Sequence, residues 1–151
     1  MKDSTENKTF TSPQTVVQIM MDNDPFSQWL GIEILEVREG YCRLKMIIRP
    51  EMLNGFGTLH GGVSFSLADS ALAFAGNSRG TLSVALNCTI TYPSPGRTGD
   101  VLIAETKEVV NTSKTGTYDI EVKKENTNEL IGLFRGTVFR TSKQIMDLDM
   151  K

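Results

Sequence analysis

Gly61 to Ser78 reads GGVSFSLADSALAFAGNS, a run of small and apolar residues in which Asp69 is the one ionisable side chain. If residues 62 to 79 are all helical, the run makes a helix about 27 Å long. It is apolar nearly all round, so other elements should embrace it. Ala68, Ala71, Ala73, Ala75 and Gly76 make it thin enough to be wrapped closely. A bare charge on such a helix costs several kcal/mol to bury. Asp69 is therefore either satisfied by hydroxyls such as Ser66 and Ser70 or turned toward a cleft that uses it.

Outward from this helix the pattern changes. The preceding MLNGFGTLHGG, residues 52–62, is a glycine-punctuated loop. Before it, GIEILEVREG and YCRLKMIIRP alternate apolar with charged residues around Glu39-Gly40, which predicts a hairpin. After Gly80, LSVALNCTITYP, DVLIAETKEVV, TGTYDIEVKKE and ELIGLFRGTVFRT read as four more strands between turn-rich breaks. Ser12-Pro13 and Asp24-Pro25 open two short N-terminal helices, the second stopped by Gly31, with Trp29 expected as a packing anchor. Strands interrupted by one long helix predict an α+β fold with an antiparallel sheet wrapped around that helix. The expected division is a flexible arm over 1–12, a single domain over 13–142 and a C-terminal tail over 143–151.

Composition narrows the function. A chain of 151 residues suits one domain. Its net charge of −2 contains no basic block of the kind that follows a phosphate backbone, so nucleic acid is not an expected partner. The polar start MKDSTENKTFTSPQ lacks a signal-peptide core and no stretch is long and apolar enough to span a bilayer, so the expected location is cytoplasmic, away from membranes. Cys42 and Cys88 lie far apart in strand-like runs, where free thiols act as small core hydrophobes. His60 is the sole histidine, so no His-rich metal site is expected.

The sequence NGFGTLHGG, followed by Asp69 eight residues beyond Gly61, resembles the hotdog-fold acyl-CoA thioesterases, and most closely the PaaI branch of phenylacetate degradation. The likeness continues through CTITYPSPGRTGD, TGTYDIEV and LFRGTVFR, and so covers most of the chain after residue 30. It implies hydrolysis of an acyl-CoA to carboxylate and free CoA, with an arylacetyl or medium-sized acyl group. Coenzyme A enters only as part of the substrate, and no other cofactor is implied. It also implies a homodimer, paired again into a homotetramer. An enoyl-CoA hydratase and a non-catalytic acyl-CoA-binding domain on the same scaffold are the alternatives.

The residues support a site of this kind. The amides at Gly61 and Gly62 begin the helix, where N–H groups lack intrahelical partners and the dipole is positive, so they suit a thioester oxygen that becomes an oxyanion. Asp69 would either attack the thioester carbon or take a proton from attacking water. Eight residues of helix separate the two by about 12 Å, too far to serve one carbonyl in one protomer. An antiparallel two-fold dimer would bring them together. Asn54 either orients the carbonyl or water, as the resemblance implies, or only bends the chain at Asn-Gly. His60 is read as a positioning group rather than a base. Asn87 is expected to face Asp69. Arg97, Lys114 and Arg135 are candidates for the CoA phosphates, and Phe65, Leu53 and Phe74 for the acyl pocket.

Overall fold

The computed structural model describes residues 11–150. The order is α1 (Pro13–Asp22), α2 (Pro25–Leu30), β1 (Glu33–Arg38), β2 (Tyr41–Ile47), α3 (Gly61–Asn77), β3 (Thr81–Thr91), β4 (Val101–Asn111), β5 (Thr115–Lys124) and β6 (Leu130–Gln144). The strands form one sheet in the order β1-β2-β4-β5-β6-β3, and every neighbouring pair is antiparallel. The expected α+β architecture is what forms.

Local chemistry explains the helix ends. Ser12 accepts the Thr15 N–H and Asp24 the Ser27 N–H, each ahead of a proline that needs no N–H partner of its own. Gly31 then takes φ 74° to stop α2, and Gly40 takes φ 68° in the β1–β2 turn. These left-handed angles would strain a residue bearing a β-carbon.

α3 lies across β2 to β6. Its Leu67, Ala68, Ala71, Leu72, Phe74 and Ala75 are buried against Leu44, Met46, Leu102, Tyr118, Ile120, Val122, Phe134 and Val138 of the sheet. Each large aliphatic or aromatic side chain removed from water in this way stabilises the fold by about 1.5–3 kcal/mol. Close approach needs small residues on both surfaces. A β-carbon on Gly136 would stand 2.5 Å from Leu72 Cδ2, and one on Gly76 would stand 3.3 Å from Val138 Cγ1.

Cys42 donates its S–H to the Ala71 carbonyl at 3.2 Å, and burial pushes its thiol up to about 12, so it serves as the expected core hydrophobe. Among the described residues no helix is long and apolar enough to cross a membrane.

Two expectations change. Trp29 is 56% exposed, stacked on Phe26 with the Arg49 guanidinium 5.4 Å above its ring, so it anchors no core. The cause is helix phase: α2 turns Ser27 and Leu30 inward, which leaves Phe26 and Trp29 on the outer face. The last strand also continues past residue 142 to Gln144, and Ile145 is buried with its N–H on the Gly80 carbonyl. Residues 143 and 144 of the expected tail therefore belong to the sheet. The expected arm falls mostly on residues 1–10, outside the described residues.

Candidate functional site

The loop into α3 is built around Asn54. Its Oδ1 accepts the N–H groups of Phe56 at 2.9 Å and Thr58 at 3.2 Å, and its Nδ2 donates to Thr58 Oγ1 at 3.1 Å. The turn-forming role of Asn54 is thus present in the fold. Two backbone bonds anchor the loop's exit: His60 N–H reaches the Met52 carbonyl and Leu59 N–H the Gly96 carbonyl, both at 2.9 Å.

His60 caps α3. Its Nδ1 accepts the Gly62 N–H at 2.9 Å, which requires an unprotonated Nδ1 and leaves that nitrogen unable to act as a base. The Gly62 amide is thereby consumed, whereas the Gly61 N–H finds no acceptor among the described residues. One free donor therefore remains at the positive end of the helix, not two. The Gly61 carbonyl is held in turn by the Tyr92 hydroxyl at 3.0 Å and the Ser64 hydroxyl at 3.2 Å. These groups, with Asn54, Thr58 and the Tyr92–Gly96 segment, line a cleft of about 400 Å³. A larger groove of about 740 Å³ lies on the outer face of the sheet around Arg38, Tyr41, Glu105 and Glu108, and none of the expected site residues lines it.

Asp69 sits two turns along, partly buried, with no hydrogen-bond partner among the described residues. The hydroxyls expected to satisfy it are engaged elsewhere: Ser66 donates to the Gly62 carbonyl, and Ser70 pairs with Ser27 at 2.8 Å. Burial, and then the charge of Asp24, raise the Asp69 carboxyl above the ordinary range. Burial and then the charge of Asp69 raise the Cys88 thiol in turn. Asn87 is exposed at the end of an irregularity in the β3–β6 register, and among the described residues no hydrogen bond joins it to Asp69.

The basic candidates are scattered. Arg97 is exposed in the loop at the Gly61 end of α3, where its N–H bonds Asp100. Lys114 lies at the other end, beside Arg140, which caps the Gly76 carbonyl. Arg135 is already paired with Asp119 through two bonds of 2.6 and 2.8 Å. Of the acyl-pocket candidates, Phe74 is core, Phe65 packs edge-on against Phe134 at 5.3 Å, and Leu53 pairs with Leu59 in an isolated bridge. Tyr92 and Asp24 carry no motif that marks them for the site; the strand end and the helix cap are visible in sequence, but their reach to Gly61 and Asp69 is a product of tertiary folding. Among the described residues no cluster of His, Cys, Asp and Glu could hold a metal.

The sequence profile of the thioesterase superfamily matches residues 56–131, from the entrance loop to the start of β6. The chain belongs to the thioesterase superfamily. A putative esterase of Archaeoglobus fulgidus is 43% identical over 86% of this chain and 84% of the relative. The acyl-coenzyme A thioesterase PaaI of Escherichia coli is 41% identical over 80% of this chain and 86% of the relative. The solved structure of the E. coli PaaI protein, from the phenylacetic acid degradation operon, superposes with a TM-score of 0.85 over 87% of this chain and 95% of that one. The fold is thus the hotdog fold, and this superfamily member is a thioester hydrolase.

Proposed function

We propose that this thioesterase hydrolyses an acyl-CoA, with an arylacetyl or medium-length acyl group, to the carboxylate and free CoA. The observation that carries the reading is two groups on one helix that find no partner among the described residues: the Gly61 N–H, which lacks an acceptor, and the partly buried Asp69, which lacks a donor. The Gly61 N–H would bind the thioester oxygen and strengthen its bond as negative charge develops there. Asp69 would attack the carbonyl carbon itself, or take a proton from water that does. In either case the C–S bond breaks and the departing CoA thiolate takes up a proton; after direct attack the acyl group is left on Asp69 as an anhydride, which water then splits to release the carboxylate and restore Asp69.

The two groups would meet in a dimer, since about 12 Å of helix separates them within one chain. What supports this assembly is the unburied stripe of α3 at Gly62, Ser66, Asp69 and Ala73, together with the edge strand β3, where Val84 and Leu86 are 48% and 64% exposed. An antiparallel partner would cover both and set Gly61 of one protomer against the partner's Asp69, giving two equivalent sites. Arg97 is the basic candidate at the Gly61 end and is the one we assign to a CoA phosphate. A hydratase would need a histidine and a carboxylate acting together, and the engaged Nδ1 of His60 does not favour it.

The test is thiol release across a panel of acyl-CoA substrates by the native enzyme and by Asp69→Asn. Comparable turnover by the two would sink the assignment of Asp69.

A further inference from the structure

We propose that Tyr92 is a positioning residue for the thioesterase reaction, its hydroxyl fixing the Gly61–Gly62 peptide so that the adjoining Gly61 N–H stays aimed at the substrate carbonyl. The inference rests on the oxyanion reading of Gly61 given above. That peptide unit is gripped at both ends. Its carbonyl receives the Tyr92 O–H at 3.0 Å and the Ser64 O–H at 3.2 Å, while its N–H is held by His60 Nδ1 at 2.9 Å. With this plane fixed, rotation about the Gly61 backbone is the freedom left that could swing the neighbouring N–H away. A glycine has more of that freedom than any other residue.

The Tyr92 ring limits it further. A β-carbon at position 61 would meet Tyr92 Cζ at 3.0 Å and Oη at 3.2 Å, so the ring stands directly against the Gly61 backbone. A side chain at 61 would therefore press the tyrosine ring aside by a few tenths of an ångström, away from its bond to the Gly61 carbonyl. Tyr92 directly follows β3, the edge strand, and is 49% exposed beside the cleft of about 400 Å³. A donor aimed in advance stabilises a developing oxyanion without reorganising during the reaction, and small misplacements are costly.

The experiment compares native enzyme, Tyr92→Phe, Ser64→Ala and the double variant. Tyr92→Phe keeps the ring and loses one hydrogen bond, so kcat should fall about tenfold with KM and the unfolding midpoint unchanged. Because both hydroxyls hold one carbonyl, the double variant should lose more than the product of the single losses. An unchanged kcat, a change confined to KM, or a loss of kcat matched by a loss of thermal stability would each overturn the proposal. Amide hydrogen exchange at Gly62 supplies a readout that needs no turnover, and it should quicken in Tyr92→Phe. Unaltered protection there would overturn the positioning role, whereas a native enzyme that released no thiol from any acyl-CoA would overturn the substrate reading instead.

Discussion

The Asp24 carboxylate, which caps α2 through Ser27, lies near enough to Asp69 for its negative charge to hold the Asp69 proton more tightly. A bond of 2.8 Å between Ser27 and Ser70 fastens the two helices beside this pair. A residue that looks like a local helix start thus also raises the pKa of the candidate catalytic carboxylate.

Removing that charge has a signed consequence. Asp24→Asn should lower the Asp69 pKa, so the acid limb of the kcat profile should move to lower pH. Burial is the larger cause of the elevation, so most of it should remain. Asparagine can still accept the Ser27 N–H, which keeps the cap. A pH–rate profile with its acid limb in place would contradict the coupling.

Asp69→Asn should lower kcat roughly a thousandfold or more. It should also raise stability near neutral pH. A carboxyl whose folded-state pKa lies above its unfolded value contributes stability in acid, below the unfolded value, and that contribution is lost as pH rises through the folded value. The amide has no ionisation to lose. Melting curves of the two proteins should therefore separate at neutral pH and converge in acid, and a less stable variant at neutral pH would show that Asp69 is satisfied by a partner.

Phe74→Ala should destabilise the fold by about 3–5 kcal/mol while leaving KM unchanged among molecules that remain folded. The ring is 1% exposed and belongs to the core between α3 and the sheet. Denaturant titration measures the first quantity. A raised KM at native stability would return Phe74 to the acyl pocket.

Arg140→Met should cost about 2–4 kcal/mol, because three acceptors lose a charged donor at once. Arg140 bonds the Gly76 carbonyl at the end of α3, the Thr112 carbonyl and Asn111 Oδ1. Thermal unfolding followed by circular dichroism should show a clear drop in midpoint, with kcat preserved below it.

Arg97→Ala should raise KM for acyl-CoA about tenfold at constant kcat, while Arg135→Ala should leave both constants near native values. The difference lies in what each cation already holds: Arg135 is committed to Asp119, which lies below the usual carboxylate range because of that guanidinium. Steady-state kinetics at two salt concentrations would check it, since a phosphate contact weakens with salt.

Much of this was legible in the residues because it is local. Alternation in β1 and β2, proline after Ser12 and Asp24, and glycine at 31 and 40 each act within a few positions, and the strands and short helices fall where those signals lie. The long helix was legible through its small residues, and Asp69 through being its one charge. Trp29 was not, because exposure depends on which face of a six-residue helix turns inward. The end of β6 is not legible, because the Ile145 N–H that follows it bonds the Gly80 carbonyl, far away in sequence. The site divides in the same way. Gly61 and Asp69 are marked by spacing, and the loss of the Gly62 amide to His60 spans only two residues, but the reach of Tyr92 across 31 positions of chain arises only once the strands have paired.

The unpaired side of β3 makes dilution a variable for this enzyme. An eleven-residue strand carrying exposed Val84 and Leu86 offers a row of backbone donors and acceptors to whatever strand arrives first. On the dimer reading proposed above, a chain standing alone would be both idle and adhesive, and the same encounter that hides the strand would switch the catalyst on.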